Sequence, residues 1–325
     1  MRPQTRLVAF LAALLLTFAS CGGAVSVSPA PSVATSPFPT TLTDFQNRSV
    51  SVPARPERLV SIGPSITAFL FALGAGPRVV GVDDFSDEPA EAATREHVGG
   101  IKVNFEKVVA LKPDLVFSVK FSDGTIEKLQ SASLNVLVVD PQSVSDVSKT
   151  ATLLGKAVGA DGEGLARSIQ QRVDGVKTKI ASATTRPRVY HEIDASDPAK
   201  VFTVGPGSYI NDLIDIAGGA NVAARAASAY PQLSAEEILR SDPEIIILAA
   251  DAYSSKPGDV AARQGWSIIS AVKNNRIFTI DPNLINRPGP RVGEAAEAYA
   301  KLVHPELFRS CARFRSSRSS WPRSW

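Results

Sequence analysis

The chain is poor in the residues that build metal sites and covalent frameworks. It has two cysteines, Cys21 and Cys311, and three dispersed histidines, His97, His191 and His304, in 325 residues. Two cysteines exclude a disulfide framework and any four-cysteine zinc site. Three scattered histidines argue against a zinc or manganese receptor, and His191-Glu192 has Ala195 where a zincin helix needs its second histidine. Catalytic signatures are missing too. Gly63-Pro-Ser-Ile-Thr67 ends in Thr and is no nucleophile elbow, and Gly205-Pro-Gly-Ser-Tyr-Ile210 lacks the third glycine of a dinucleotide loop. No catalytic residue, metal ligand or cofactor is assigned. A basic excess is also absent from the body. All 32 acids but only 28 of the 35 bases lie within 22–308, a net charge of −4, which argues against a nucleic-acid partner.

What is present begins at the N-terminus. Arg2 and Arg6 precede an uncharged apolar run, Leu7 to Phe18, too short for the roughly 20 residues of a membrane span. Ala19-Ser20-Cys21 then resembles the bacterial lipobox, with Phe18 where Leu is usual. That resemblance implies a signal peptide over 1–20 and a diacylated Cys21, which leaves Cys311 without an intrachain partner. The alternative is a plain secretory signal. Residues 22–42 are rich in Gly, Ser, Pro and Thr and carry no charge, so 21–42 reads as a flexible tether. At the other end, 309–325 is Arg/Ser-rich without apolar periodicity and reads as a disordered tail.

The body contains an internal repeat. Phe105-Glu-Lys-Val-Val-Ala-Leu-Lys-Pro-Asp-Leu-Val-Phe117 and Ala235-Glu-Glu-Ile-Leu-Arg-Ser-Asp-Pro-Glu-Ile-Ile-Ile247 share a Glu, a short helix, a Pro, an acid and a buried-strand run. Gly63-Pro-Ser-Ile-Thr67 and Gly205-Pro-Gly-Ser-Tyr209, each before a helix, form a second pair. Two matched pairs at offsets of about 130–143 residues imply two similar lobes. Strand runs at Arg58–Ile62, Arg78–Val82, Leu115–Val119 and Val136–Asp140 alternate with helices at Ile66–Leu73, Phe105–Leu111 and Ile126–Ala132. In the second half, strands at Arg188–Glu192, Ile245–Ala249 and Ile277–Ile280 accompany helices at Tyr209–Ala217 and Ala235–Arg240. Such alternation favours parallel sheets. Ser145–Val158 and Gly162–Ala183 are also helical in pattern. The second is about 30 Å long at 1.5 Å per residue, a stiff spine between lobes. The expected layout is a lobe over 43–160, a spanning helix over 161–185 and a lobe over 186–308.

An exported, tethered, two-lobed α/β chain with one spanning helix resembles the helical-backbone solute-binding proteins of ABC transporters. The carrying motifs are Ser61-Ile-Gly-Pro-Ser-Ile-Thr67, the Phe105–Val116 segment, Ala217-Gly-Gly-Ala-Asn221 and Arg287-Pro-Gly-Pro-Arg291. The resemblance covers about 43–308 and is greatest to periplasmic vitamin B12-binding proteins. It implies an α/β fold of two Rossmann-like lobes joined by a long backbone helix (a class III periplasmic binding protein). It further implies a monomer outside the cytoplasmic membrane, lipid-anchored, that serves a permease dimer and its ATPase subunits and performs no chemistry. The implied ligand is a corrinoid; a ferric siderophore or haem is the alternative within the class. An exported α/β enzyme using the interlobe cleft is the alternative outside it.

The implied ligand residues are Phe85, Phe202, Tyr230, Asn283 and Arg287. Aromatic faces hold a flat macrocycle and a few polar groups hold its amide fringe. Three positions depart from the pattern: Val119 stands where Trp is familiar, the Gly99-Gly100-Ile101 turn lacks a second Trp, and Asn283 replaces an acid. Phe85, Phe202 and Tyr230 have a plain alternative as core residues, and Arg287 as a surface or interlobe salt bridge. Asp83 and Asp84 read as acids solvating a turn. His191 and Tyr190 end a strand that could offer a haem-iron ligand. Glu106 and Glu236, at the starts of the repeated helices, match the carboxylates that dock the permease. Their alternative is compensation of the helix dipole.

Overall fold

A computed structural model describes residues 37–197, 200–250 and 255–308. The expected signal peptide, Cys21, the tether up to residue 36, the 309–325 tail and Cys311 lie outside the described residues. Among the described residues no helix is long and apolar enough to cross a membrane.

The chain enters through a hairpin of β1 (Thr40–Thr43) and β2 (Ser49–Val52). Alternation drives it: Leu42, Val50 and Val52 are buried while their neighbours face out. Asp44 closes the turn, its carboxylate accepting from Arg48 at 2.7 Å and from the Gln46 N–H at 2.9 Å. Thr40–Leu42 were expected in the tether. They belong to the fold instead, because the hairpin seals the sheet edge: the Phe45 N–H donates to the Val138 carbonyl at 3.1 Å and Asn135 Nδ2 to that of Ser51 at 2.6 Å.

The first lobe continues with β3 (Leu59–Ile62), α1 (Pro64–Ala72), β4 (Val79–Val82), β5 (Glu96–His97), α2 (Phe105–Ala110), β6 (Leu115–Ser118), α3 (Thr125–Ser131), β7 (Val136–Val138) and α4 (Val144–Val158). Its sheet runs β5-β4-β3-β6-β7, all parallel. Helix α5 (Gly162–Ile180) follows; its 19 residues span about 28 Å. The second lobe comprises β8 (Arg188–Asp194), β9 (Lys200–Thr203), α6 (Tyr209–Ile216), β10 (Ala220–Asn221), β11 (Gln232–Ser234), α7 (Ala235–Ser241), β12 (Ile245–Ala249), α8 (Pro257–Ala261), α9 (Ser270–Lys273), β13 (Ile277–Ile280), α10 (Pro282–Ile285) and α11 (Val292–Val303). There β10, β8, β12 and β13 are parallel, while β9 pairs antiparallel with both β8 and β11. Strands such as β12, Ile-Ile-Ile-Leu-Ala, are buried throughout, as a sheet covered on both faces requires.

The repeat is visible in the joints. Arg58 reaches the Leu111 carbonyl through Nε at 2.9 Å, and Arg188, 130 residues on, reaches those of Ser241 and Asp242 at 3.0 and 2.8 Å. Asp114 accepts the Arg58 N–H and Glu244 that of Arg188. Lys112 and Asp242, also 130 apart, both end their helices with positive φ, 47° and 42°. The glycine pair is looser. Gly63 itself caps α1, whereas Ser208, three residues past Gly205, caps α6 through its hydroxyl at 3.1 Å.

Each lobe buries an outer layer of its own, Val60, Val116 and Ile126 in the first and Tyr190, Ile246 and Trp266 in the second. Their inner layers merge. One apolar core runs from Leu59 and Leu115 through α4, α5 and α11 to Val189 and Ile245, so α5 packs on both lobes. Helix α11 has no counterpart among the helical runs read from the sequence; its buried stripe is largely Gly and Ala. In the second outer layer Glu192 is fully buried and held by Arg263, with Nη1–Oε2 2.7 Å and Nη2–Oε1 3.0 Å; the Tyr190 hydroxyl donates to Oε2 at 3.0 Å. The Arg263 guanidinium lies 4.6 Å from the centre of the Trp266 ring.

Candidate functional site

In parallel α/β sheets the chain leaves each strand's carboxyl end as a loop, and ligands bind in the crevice outside those ends. Both lobes follow this rule. Pro64 follows β3, Phe85 follows β4, Asp140 follows β7, and Pro282 and Asn283 follow β13, while Ile193 and Asp194 end β8. These residues line two adjoining depressions between the lobes, of about 440 and 570 Å3, which share Ile193, Asp194 and Asn286. A larger hollow of about 820 Å3 between β1 and α4 belongs to the first lobe alone and receives none of these strand ends.

All five expected ligand residues reach this cleft. Phe202 and Tyr230 line one depression; Phe85, Asn283 and Arg287 line the other. The core alternative fails for the aromatics: Phe85 is 51%, Tyr230 50% and Phe202 39% exposed. Local structure explains each. In β9, Val201 and Thr203 are buried, so alternation turns Phe202 outward, in register with Asp194. Tyr230 precedes Pro231 in the loop before β11. Partial burial against the cleft wall, with the Asp140 carboxylate across the cleft adding to it, pushes its phenol up. Arg287 lines the cleft and bridges to Asp87 of the other lobe at 2.5 Å. Arg291 bridges the lobes again through Glu88 at 3.0 Å.

Phe85 stands on a buried staple. Asp83 does not solvate a turn; it is 2% exposed. Its carboxylate accepts the N–H of Gly63 at 2.7 Å, the N–H of Phe85 at 2.9 Å and the hydroxyl of Ser86 at 2.7 Å. Ser86 in turn meets Thr67 at 2.7 Å, and Thr67 donates to Ser61 at 2.8 Å. Gly63 is required beside it: its φ is +149°, and a Cβ there would lie 2.7 Å from Val119 Cγ1. Asp83→Ala would orphan three donors in a buried turn. The expected loss is about 2–3 kcal/mol, read from the urea midpoint, with weaker ligand binding through Phe85.

Sequence reasoning missed Asp140, Asp194, Tyr209, Pro64 and Asn286 as cleft residues. The strand-end rule would have found most of them. It also placed His191 and Tyr190 wrongly as haem-ligand candidates. Both are fully buried: His191 Nδ1 meets the Tyr299 hydroxyl at 3.0 Å on one face of the sheet, and Tyr190 bonds Glu192 on the other. Among the described residues no group of three His, Cys, Asp or Glu side chains could hold a metal ion.

Glu106 and Glu236 lie away from the cleft, exposed in the first turns of α2 and α7. Other residues cap those helices. The Asn104 side chain accepts from the Lys107 N–H at 3.1 Å, and Ser234 with Glu237 forms a reciprocal capping box. Lys107, next to Glu106, is bound to Glu96 at 2.7 Å. Neither Glu106 nor Glu236 has an ion-pair partner among the described residues.

Two α/β lobes on one backbone helix, with a ligand-sized cleft at their strand ends, define a class III periplasmic binding protein. The sequence agrees: residues 59–284 match the periplasmic binding protein family, and the chain belongs to it. The family is one of extracytoplasmic solute-binding proteins, not of enzymes. The chain is similar to the uncharacterized ABC transporter substrate-binding lipoprotein YvrC of Bacillus subtilis, at 34% identity over 84% of this chain and 88% of that one. It is 30% identical to a cobalamin-binding protein of Halobacterium salinarum over 90% of this chain and 83% of that one. Among solved structures, the vitamin B12-binding protein BtuF of Vibrio cholerae superposes with a TM-score of 0.66 at 24% identity, covering 78% of this chain and 99% of that one. The haem-binding protein RhuT of Roseiflexus does so at 0.70 and 22%, covering 77% and 99%. At these identities the two structures speak to the fold.

Proposed function

We propose that the chain captures a corrinoid between its lobes and delivers it to the permease of an ABC importer. One observation carries the reading: three solvent-facing aromatics, Phe85 on one wall and Phe202 and Tyr230 on the other, stand in a single interlobe cleft. Exposed aromatic side chains gathered in one cleft mark a binding site where scattered ones do not, and facing aromatic walls suit a flat macrocycle. The names of relatives along most of the chain support the choice of ligand: a cobalamin-binding protein in Halobacterium and vitamin B12-binding proteins in Vibrio. Calorimetry with cobalamin, cobinamide, ferric siderophores and haem tests it. One-to-one binding of a corrinoid is expected; affinity for haem or a siderophore with none for corrinoids overturns it. Tyr230→Ala should weaken corrinoid binding by roughly 1–3 kcal/mol, through loss of one large apolar contact.

As a substrate-binding protein of an ABC transporter the chain works with a permease and its ATPase and binds a small ligand. In this reading Glu106 and Glu236 are the docking carboxylates, one at the tip of each lobe. Cys21 carries the lipid that keeps the receptor at the membrane. Radiolabelled palmitate should enter the wild type and not Cys21→Ala; equal labelling refutes the anchor.

A further inference from the structure

The charge of the cleft narrows what it can hold. Among the described residues lining the two depressions, Arg287 is the one base, and Asp140 and Asp194 are the acids. Arg287 is already neutralised by Asp87 at 2.5 Å. The two carboxylates are not: neither has a basic partner among the described residues. Each is steadied by neutral neighbours on one oxygen only. Asp140 Oδ1 accepts from Gln142 Nε2 at 2.8 Å; Asp194 Oδ1 accepts from the Ser196 N–H at 2.7 Å and hydroxyl at 2.6 Å. The Ser196 bonds hold the Asp194 carboxyl below its ordinary range, so it is ionised at neutral pH. The two acids stand on opposite walls, Asp140 after β7 of the first lobe and Asp194 at the end of β8 of the second, the latter beside Phe202. Between them the aromatic faces are neutral. The cleft is thus apolar in its walls and negative at its polar points.

We infer that Asp140 and Asp194 set the charge of the ligand: the cleft accepts a macrocycle whose rim is uncharged or cationic and carries N–H donors, and rejects one whose rim carries ionised carboxylates. The macrocycle rests on the corrinoid reading; the charge rule rests on the carboxylates alone. A rim carboxamide can donate to the open Oδ2 of either aspartate, a charge-assisted bond. A rim carboxylate at the same place meets two like charges in a site partly screened from water, where repulsion exceeds its value in bulk.

Matched pairs test the rule on the full chain. One pair is a corrinoid with its rim carboxamides intact and the same corrinoid with them hydrolysed to carboxylates. The other is haem dimethyl ester and free haem. Calorimetry should show the uncharged member of a binding pair to be tighter by about tenfold or more, with the ratio shrinking as salt is raised. Asp140→Asn with Asp194→Asn should bring the ratio towards unity, and Asp194→Asn alone should move it part of the way. Equal or tighter binding of the carboxylate member, or a ratio unmoved in the double variant, overturns the inference. Failure of both corrinoids to bind, with the haem pair still ordered by charge, overturns the corrinoid reading and leaves the charge rule standing.

Discussion

Glu106→Ala combined with Glu236→Ala should leave ligand affinity within experimental error and strongly reduce uptake through the permease. Both side chains are exposed in the first turns of α2 and α7 and line neither cleft depression, so capture is spared. Both helices keep their caps in the variant, through Asn104 and through Ser234 with Glu237. Each carboxylate alone offers a solvated charge pair of about 0.2–1 kcal/mol. Mounted on one stiff spine, the second contact becomes intramolecular once the first has formed, so the double variant should lose more transport than either single one. Ligand calorimetry and cellular uptake, measured on the same variants, check it. Lost binding would place the residues in the site or the fold; unchanged transport would leave them dipole compensation alone.

Arg263→Ala should destabilise the protein by about 3–5 kcal/mol near neutral pH, because it strands Glu192 as a buried unpaired charge. Burial pushes the Glu192 carboxyl up, but the Arg263 hydrogen bonds and charge more than offset it and hold it below its ordinary value of 4.5. A carboxyl depressed in the folded state stabilises the protein above its unfolded pKa, and that stability is lost as pH falls through the folded value. In Arg263→Ala burial acts without its main counterweight, and the folded pKa lies above the unfolded one. The variant therefore recovers stability, relative to wild type, as pH falls and Glu192 takes up a proton. Urea unfolding at about pH 7 and about pH 5 should show the gap between the two proteins narrowing. A gap constant with pH would mean that the loss is one of packing on Trp266. Adding Glu192→Gln should restore part of the loss at neutral pH.

The sequence was legible where one signal dominated. Continuous apolar runs such as Ile245–Ala249 announced buried strands, and the 130-residue repeat announced two lobes because a turn needs the same joint each time: Arg58 with Asp114, Arg188 with Glu244. It was illegible where composition hid geometry. The β1 strand is Thr-Thr-Leu-Thr inside a Ser/Pro/Thr-rich stretch, and only its pairing with β2 gives Leu42 an inside. Helix α11 buries Gly293, Ala295, Ala296 and Ala300, residues too small to mark an apolar stripe. In the cleft, the aromatics were readable because a family pattern pointed at them. Asp140 and Asp194 were not, since a carboxylate at the end of a strand looks like any solvated turn until the opposing lobe is in place. Asp83 looked the same and proved to be the buried centre of a staple.

The merged inner core and the Arg287–Asp87 and Arg291–Glu88 bridges have a consequence for traffic at the membrane. A receptor whose lobes share one core should change its outline little when cargo arrives, so the full and empty forms are expected to present the same docking surface. A transporter offered one outline should not sort arrivals by silhouette. Vacant receptors are then expected to compete with laden ones at the same gate, so that raising receptor at scarce ligand should slow uptake, and throughput should follow the laden fraction, not the number of receptors made.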